Sequence, residues 1–219
     1  MNLLRGLMLL FAFVVSTSAL ADAQLYSGLG IGASDADAKP SNVRNALVAK
    51  GYDVQSVSVD SEDSGWRFLV GLRFTDVWAV ELGYIDLGES TTNVVGNVNP
   101  TETAQFTQDV ANVLPVMPRG ITLAGVARLS MSQLGAQGAM GDKLNVALKL
   151  GMIDADSERE AAGAAGQTEV DASPYYGLVL GWEFTELWRG VLGYEVFNMA
   201  DSTEYWSAGL EYKFPYAGN

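Results

Sequence analysis

Beyond residue 23 the chain repeatedly alternates apolar and polar side chains with a period of two. In Trp66-Arg67-Phe68-Leu69-Val70-Gly71-Leu72-Arg73-Phe74 one phase is Trp66, Phe68, Val70, Leu72 and Phe74, and the other holds Arg67 and Arg73. Strand side chains point to opposite faces in turn, so one face is wholly apolar and the other charged. The pattern predicts eight strands, at 24–33, 64–74, 77–87, 119–131, 143–153, 174–184, 188–198 and 204–214. The apolar phase takes in Leu29 and Ile31, then Val80, Leu82 and Tyr84, then Leu123 and Leu129, then Val146, Leu148 and Leu150. It continues with Leu178, Leu180 and Trp182, with Leu192, Tyr194 and Val196, and with Trp206, Leu210, Tyr212 and Phe214.

Charges sort onto the other phase: Arg67, Arg73, Glu81, Arg128, Lys149, Glu183, Arg189, Glu195, Glu211 and Lys213, six bases and four acids. On the apolar phase, charges occur only near strand ends, at Asp86, Arg119, Asp154 and Glu204. A soluble β-sandwich would turn its charged phase to water and its apolar phase to a core. Strands of about ten residues suit a tilted bilayer crossing, where apolar side chains meet lipid and a basic residue at mid-depth costs ~2–4 kcal/mol. The expected fold is therefore an all-β, eight-stranded antiparallel transmembrane barrel with up-and-down order, spanning 24–219. The ten inward charges are expected to form a lumen network centred on Glu81, Arg128, Lys149 and Glu211.

Two or three residues separate strands two and three, and likewise six and seven, whereas 34–63, 88–118 and 154–173 are long. Short periplasmic turns and long outer loops are the outer-membrane arrangement. The four outer loops hold 16 acids and 4 bases, nearly all of the formal charge of −13. Residues 41–52 predict one short loop helix, with Ser41 as N-cap and Gly51 as C-cap. The turn at 132–142 is longer than this scheme expects. Residues 1–23 are expected to be a secretory signal: Arg5, a short apolar run over 7–15, and Ala21-Asp22-Ala23 as the cleavage pattern. The run is too short for a membrane helix.

Composition narrows the chemistry. Acidic charge argues against a nucleic-acid partner. The absence of Cys and His excludes disulfides, Ser-His or Cys-His nucleophile pairs and His metal sites. Gly28-Leu29-Gly30-Ile31-Gly32 lacks the spacing and following helix of a dinucleotide loop. These glycines are expected to alternate inward and leave room in a narrow barrel. Asp154, Asp156 and Glu158 suggest weak divalent-ion contact, yet lack the spacing of a calcium loop, so no metal or cofactor is expected.

An internal echo completes the picture. Phe74-Thr75-Asp76-Val77-Trp78 with Leu82-Gly83-Tyr84 matches Phe184-Thr185-Glu186-Leu187-Trp188 with Leu192-Gly193-Tyr194, at a constant offset of 110 residues. Phe74, Trp78, Phe184 and Trp188 are expected at the inner membrane interface, and Trp66, Trp206 and Phe214 join the interface aromatics.

Four segments together resemble the OmpA-type transmembrane barrel of Gram-negative outer membranes: Gly65-Trp66-Arg67-Phe68-Leu69-Val70-Gly71; Trp78-Ala79-Val80-Glu81-Leu82-Gly83-Tyr84-Ile85-Asp86-Leu87-Gly88; Arg128; and Gly209-Leu210-Glu211-Tyr212-Lys213-Phe214. The resemblance implies location in the outer membrane, among its lipids and lipopolysaccharide. It also implies a terminal aromatic, Phe214, read by the assembly machinery. Larger family members add a peptidoglycan-binding domain, and no segment here is long enough to be one. The expected function is a non-enzymatic, monomeric barrel with a structural and surface role. The alternative is a narrow, low-conductance channel for small solutes or ions.

Overall fold

Hydrogen bonding joins the alternating segments into a ring. The structure is a computed structural model that describes residues 23–113, 117–136, 138–161, 164–199 and 202–215, with side chains for all but 100, 139, 156–161 and 164–171. The expected signal segment, save Ala23, lies outside the described residues. The strands and helices, in chain order, are β1 (Gln24–Ala36), α1 (Pro40–Ala49), β2 (Asp53–Asp60), β3 (Glu62–Arg73), β4 (Trp78–Asp86), β5 (Thr91–Asn97), α2 (Thr103–Asn112), β6 (Arg119–Ser130), α3 (Ala139–Lys143), β7 (Leu144–Ala161), β8 (Ala164–Glu183), β9 (Trp188–Asn198) and β10 (Ser202–Lys213). Strands β1-β10-β9-β8-β7-β6-β4-β3 form a closed antiparallel barrel. Closure satisfies the inter-strand N–H and C=O groups within the wall, which hydrocarbon surroundings require.

The period-two phasing holds around the ring. Leu148 is 49% exposed on the outer face while its neighbour Lys149 is 3% exposed inside. Val196 belongs to the outward phase but is buried, flanked in the sheet by Tyr176 and Glu204. Outward aromatics gather in two belts. Near the long loops, Trp66 lies 5.6 Å from Tyr84, and Tyr194 lies 4.5 Å from Trp206. Near the short turns, Trp182–Phe184, Trp188–Tyr212 and Tyr212–Phe214 pair at 5.9, 4.9 and 5.1 Å. The eight residue steps from Trp66 to Phe74 span roughly 26 Å along the strand, or about 20 Å once tilted. That approaches the ~25 Å apolar band of an outer-membrane barrel.

The two echoed turns have one geometry. Thr75 Oγ1 accepts from the N–H groups of Val77 and Trp78, and Thr185 Oγ1 accepts from those of Leu187 and Trp188. Phe74 N–H donates to Trp78 O at 3.1 Å, and Phe184 N–H to Trp188 O at 3.0 Å. The threonine closes the turn and the aromatics set its depth, so the repeated spelling is repeated structure.

At the other end the long segments are not plain loops. Strands β2 and β5 pair as a separate two-stranded sheet. Val43 and Leu47 of α1, Val54 of β2, and Val110 and Ala111 of α2 form its buried core. The connections β1–β3 and β4–β6 thus fold together as a cap. Helix α1 starts at Pro40, with Lys39 rather than Ser41 as N-cap, because proline's fixed φ and missing N–H suit the first turn. Its C-cap is Lys50, and Gly51 follows at φ +95°. The expected loop at 154–173 is also corrected. β7 and β8 pair as far as Ala161 and Ala164, so the hairpin continues well beyond the barrel wall.

The long turn at 132–142 is a small folded unit. Met131 N–H donates to Leu144 O, Ser132 N–H to Gly141 O and Ala136 N–H to Met131 O. Gly135 and Gly138 take positive φ, and α3 supplies one turn.

The phasing yields a direct expectation. Leu148→Arg should destabilise the folded barrel in lipid vesicles by about 2–4 kcal/mol, whereas Leu148→Met should leave it within about 1 kcal/mol. Urea midpoints by fluorescence measure both, and equal midpoints would mean that Leu148 does not face lipid.

Candidate functional site: a charged lumen beneath a folded cap

Inward side chains fill the barrel in layers. Next to the cap lies an apolar layer of Ile85, Leu87, Ile153, Tyr175, Phe197 and Tyr205, with Tyr175 stacked on Phe197 at 5.0 Å. Beneath it sits a four-charge cluster. Lys149 Nζ is 2.5 Å from Glu81 Oε2 and 3.7 Å from Glu195 Oε1. Arg67 donates to Glu195 and lies 4.0 Å from Glu81. Two acids meet two bases, so this cluster is neutral.

A second cluster stands nearer the turns. Arg189 donates to Glu211 and, at 3.0 Å, to Asn145 Oδ1. Arg128 approaches the same Glu211 carboxylate at 3.7 Å. Tyr26 joins the clusters: its hydroxyl donates to Glu81 at 2.7 Å, and the Arg128 guanidinium lies over its ring at 5.2 Å. Of the four residues expected at the centre, Glu81 and Lys149 meet in the first cluster, and Arg128 and Glu211 meet in the second. Lys213 pairs with Glu183 at 2.6 Å near the turns. Arg73 is not drawn into either cluster and lies 3.8 Å from Asp76 of the adjoining turn.

Eight strands enclose too little width for two opposed long side chains, and glycine makes the difference. A Cβ on Gly177 would lie 2.5 Å from Glu195 Cγ, and one on Gly28 would lie 3.0 Å from Glu211 Cγ. One on Gly30 would lie 3.1 Å from Arg67 Cγ, and one on Gly71 would collide with the Tyr26 ring. Gly28 and Gly30 are therefore a bed for lumen charges, whereas Gly32 lets the backbone of Trp206 and Ser207 approach closely. The interior void beside Arg67, Lys149 and Glu211 measures about 20 Å³, room for about one water.

Sequence reasoning missed Tyr26 and Asn145. Both stand on the inward phase, Tyr26 in step with Gly28 and Gly30, and Asn145 in step with Lys149. That phase was the available signal, but a search for charges alone passes over uncharged polar groups.

A buried carboxylate lies at the heart of the cap. Asp109 of α2 is 8% exposed. It accepts from Lys50 Nζ at 2.6 Å, Tyr52 Oη at 2.6 Å and Gln105 Nε2 at 3.3 Å. The Lys50 hydrogen bond, followed by that of Tyr52, holds the Asp109 carboxyl below its ordinary value. The bond to Asp109, helped by desolvation, pushes the Tyr52 phenol up to about 12. Asp109 thus ties the chain after α1 to α2. Among the described residues no three acidic side chains converge as a metal site. The Asp156 and Glu158 side chains of the suggested divalent-ion motif lie outside the described residues.

Two outcomes follow from these contacts. Gly177→Val should displace Glu195 and cost about 1–3 kcal/mol in urea unfolding. Gly125→Ala, whose Cβ would meet its nearest neighbour at 3.9 Å, should be neutral, and equal effects would refute the glycine bed. For the cap, a lowered Asp109 pKa means that its contribution is complete above the ordinary carboxylate range and is lost as pH falls through the lowered value. The raised Tyr52 pKa adds stability that is complete below pH ~10 and is lost as pH rises toward 12. The melting temperature of the cap, read by calorimetry, should fall at both extremes, and Asp109→Ala should lower it already at neutral pH. A flat pH profile would sink the latch.

The comparisons with known proteins agree with this geometry. The family model described as "Outer membrane protein beta-barrel domain" matches residues 7–214. Among solved structures, the outer membrane protein OprG from Pseudomonas aeruginosa aligns with TM-score 0.53 at 11% identity, covering 89% of this chain and 97% of that one. The N-terminal β-barrel domain of Pseudomonas aeruginosa OprF aligns with TM-score 0.50 at 11% identity, covering 88% and 100%. At such identity the likeness concerns the fold. No match was found among curated protein sequences. The family match, the closed ring and the lipid-facing phase together place the protein in the outer membrane, as a member of the eight-stranded outer-membrane β-barrel family of OmpA-like type.

Proposed function

We propose that the chain is a non-enzymatic structural barrel that carries a folded acidic cap on the cell surface, with a lumen closed at rest. The filling of the lumen carries this reading. Arg189, Glu195, Phe197 and Tyr205 are each almost wholly inaccessible and come from both the charged and the apolar layers. A channel would need a continuous wet path, and a void of about 20 Å³ is not one.

The cap supports the surface role. Its β2–β5 sheet turns Ser56, Ser58, Asn93 and Val95 outward while Val54, Val57, Val59 and Val94 pack into the core formed with the two helices. A built and solvated outer face suits contact with the lipopolysaccharide layer or with molecules outside the cell. Both barrel termini lie at the short-turn end, which this reading puts in the periplasm. Phe214, whose N–H donates to Leu25 O at 2.9 Å, presents its ring there as the assembly signal.

Two measurements test the proposal. Cysteines at Val48 and Val95 in a chain that has none should react with an impermeant maleimide on intact cells. One at Leu134 should react only after the outer membrane is permeabilised, and the reverse pattern would invert the orientation. In planar bilayers the purified protein should give rare, small openings, whereas large steady currents would establish the narrow-channel alternative.

A further inference from the structure

The buried charges of the lumen do not balance. The cluster of Arg67, Lys149, Glu81 and Glu195 is neutral, and Lys213 is matched by Glu183. The cluster nearer the turns sets two guanidiniums, Arg128 and Arg189, against one carboxylate, Glu211. Tyr26 and Asn145, its other polar neighbours, are neutral. One positive charge is left over. Arginine keeps its proton, so deprotonation offers no remedy, and an uncompensated charge in a dry interior costs several kcal/mol.

Hydrogen bonding locates the surplus. Arg189 spends its two Nη groups on Asn145 and Glu211, and its buried Nε has no hydrogen-bond partner. Arg128 is held more loosely. Glu211 lies 3.7 Å away, too far for a hydrogen bond, and its Nε is also buried without a partner. A guanidinium has five N–H donors and no acceptor, so this corner offers donors and net positive charge together. It is also within reach of the turn end. Arg128 N–H donates to Val77 O, in the turn between β3 and β4, at 2.7 Å.

We propose that the lumen binds one small monovalent anion, of the halide class, between Arg128 and Arg189. Charge fixes the valence, because a divalent anion would replace a surplus of +1 by one of −1. Size fixes the class, because the interior void at Glu211, shared with Arg67 and Lys149, measures about 20 Å³, room for a monatomic ion rather than a polyatomic one. The anion is part of the folded barrel, so it stabilises the native state by mass action. This goes beyond the proposed function, because the site needs no conductance and its test measures none.

The experiment is urea unfolding of the purified full barrel in neutral detergent micelles, titrating sodium chloride against sodium gluconate at constant ionic strength. The wild-type midpoint should rise with chloride to a plateau and stay level in gluconate. Arg128→Met removes the surplus charge and should abolish the chloride dependence. Glu211→Gln raises the surplus from one to two and should enlarge the dependence. Crystals soaked in bromide should show an anomalous peak beside Arg128 in the wild type. A wild-type midpoint identical in the two salts, or a chloride response that survives Arg128→Met, overturns the site. Should Arg128→Met not refold, the wild-type and Glu211→Gln titrations decide the question alone.

Discussion

A membrane barrel of eight strands has one interior, and that interior has almost no spare width. Lipid excludes charge from the outer face, so every charged side chain at membrane depth must turn inward. There it must meet an opposite charge, because burial leaves no water to replace the partner. The pairing of Glu81 with Lys149 and of Arg67 with Glu195 follows from that confinement. So do the glycines opposite them, since a pair of long side chains fits only where the facing wall has none. The apolar layer of Tyr175, Phe197 and Tyr205 seals the same column toward the cap, so polar and apolar filling share one task.

The barrel was legible because its signal is binary. Every strand announces which side chains face lipid, and a one-residue slip would have put Lys149 on lipid and Leu148 in the lumen. The pairs Glu81–Lys149 and Arg128–Glu211 were legible only as members of one inward phase. Their division into two clusters depends on strand stagger, which no single strand encodes. Tyr26 shows the limit well: its alternation places it inside, but nothing local says that it will reach Glu81, 55 residues away.

The cap was less legible. Helix α1 was visible through the capping residues that bracket it, Ser41 and Gly51, though Pro40 rather than Ser41 sets its start. Strands β2 and β5 also alternate, through Val57 and Val59 and around Val94. They are short, polar on one face, and read as loop beside the longer membrane strands. Their pairing brings together two segments separated by a full barrel hairpin, a non-local event that periodicity does not report.

The barrel and the cap answer to different surroundings, and this divides the chain into regions with unequal freedom to change. Within the wall, a position is bound by lipid on one side and by a crowded column on the other, so few substitutions fit. On the cap, Val43, Leu47, Val54 and Val110 hold a small core of their own, and Asp109 fastens it. Positions such as Val48, Ser58 and Val95 bear on neither. The exposed face can therefore drift in sequence, and meet a changing set of neighbours outside the cell, while the β-barrel that supports it stays as it is.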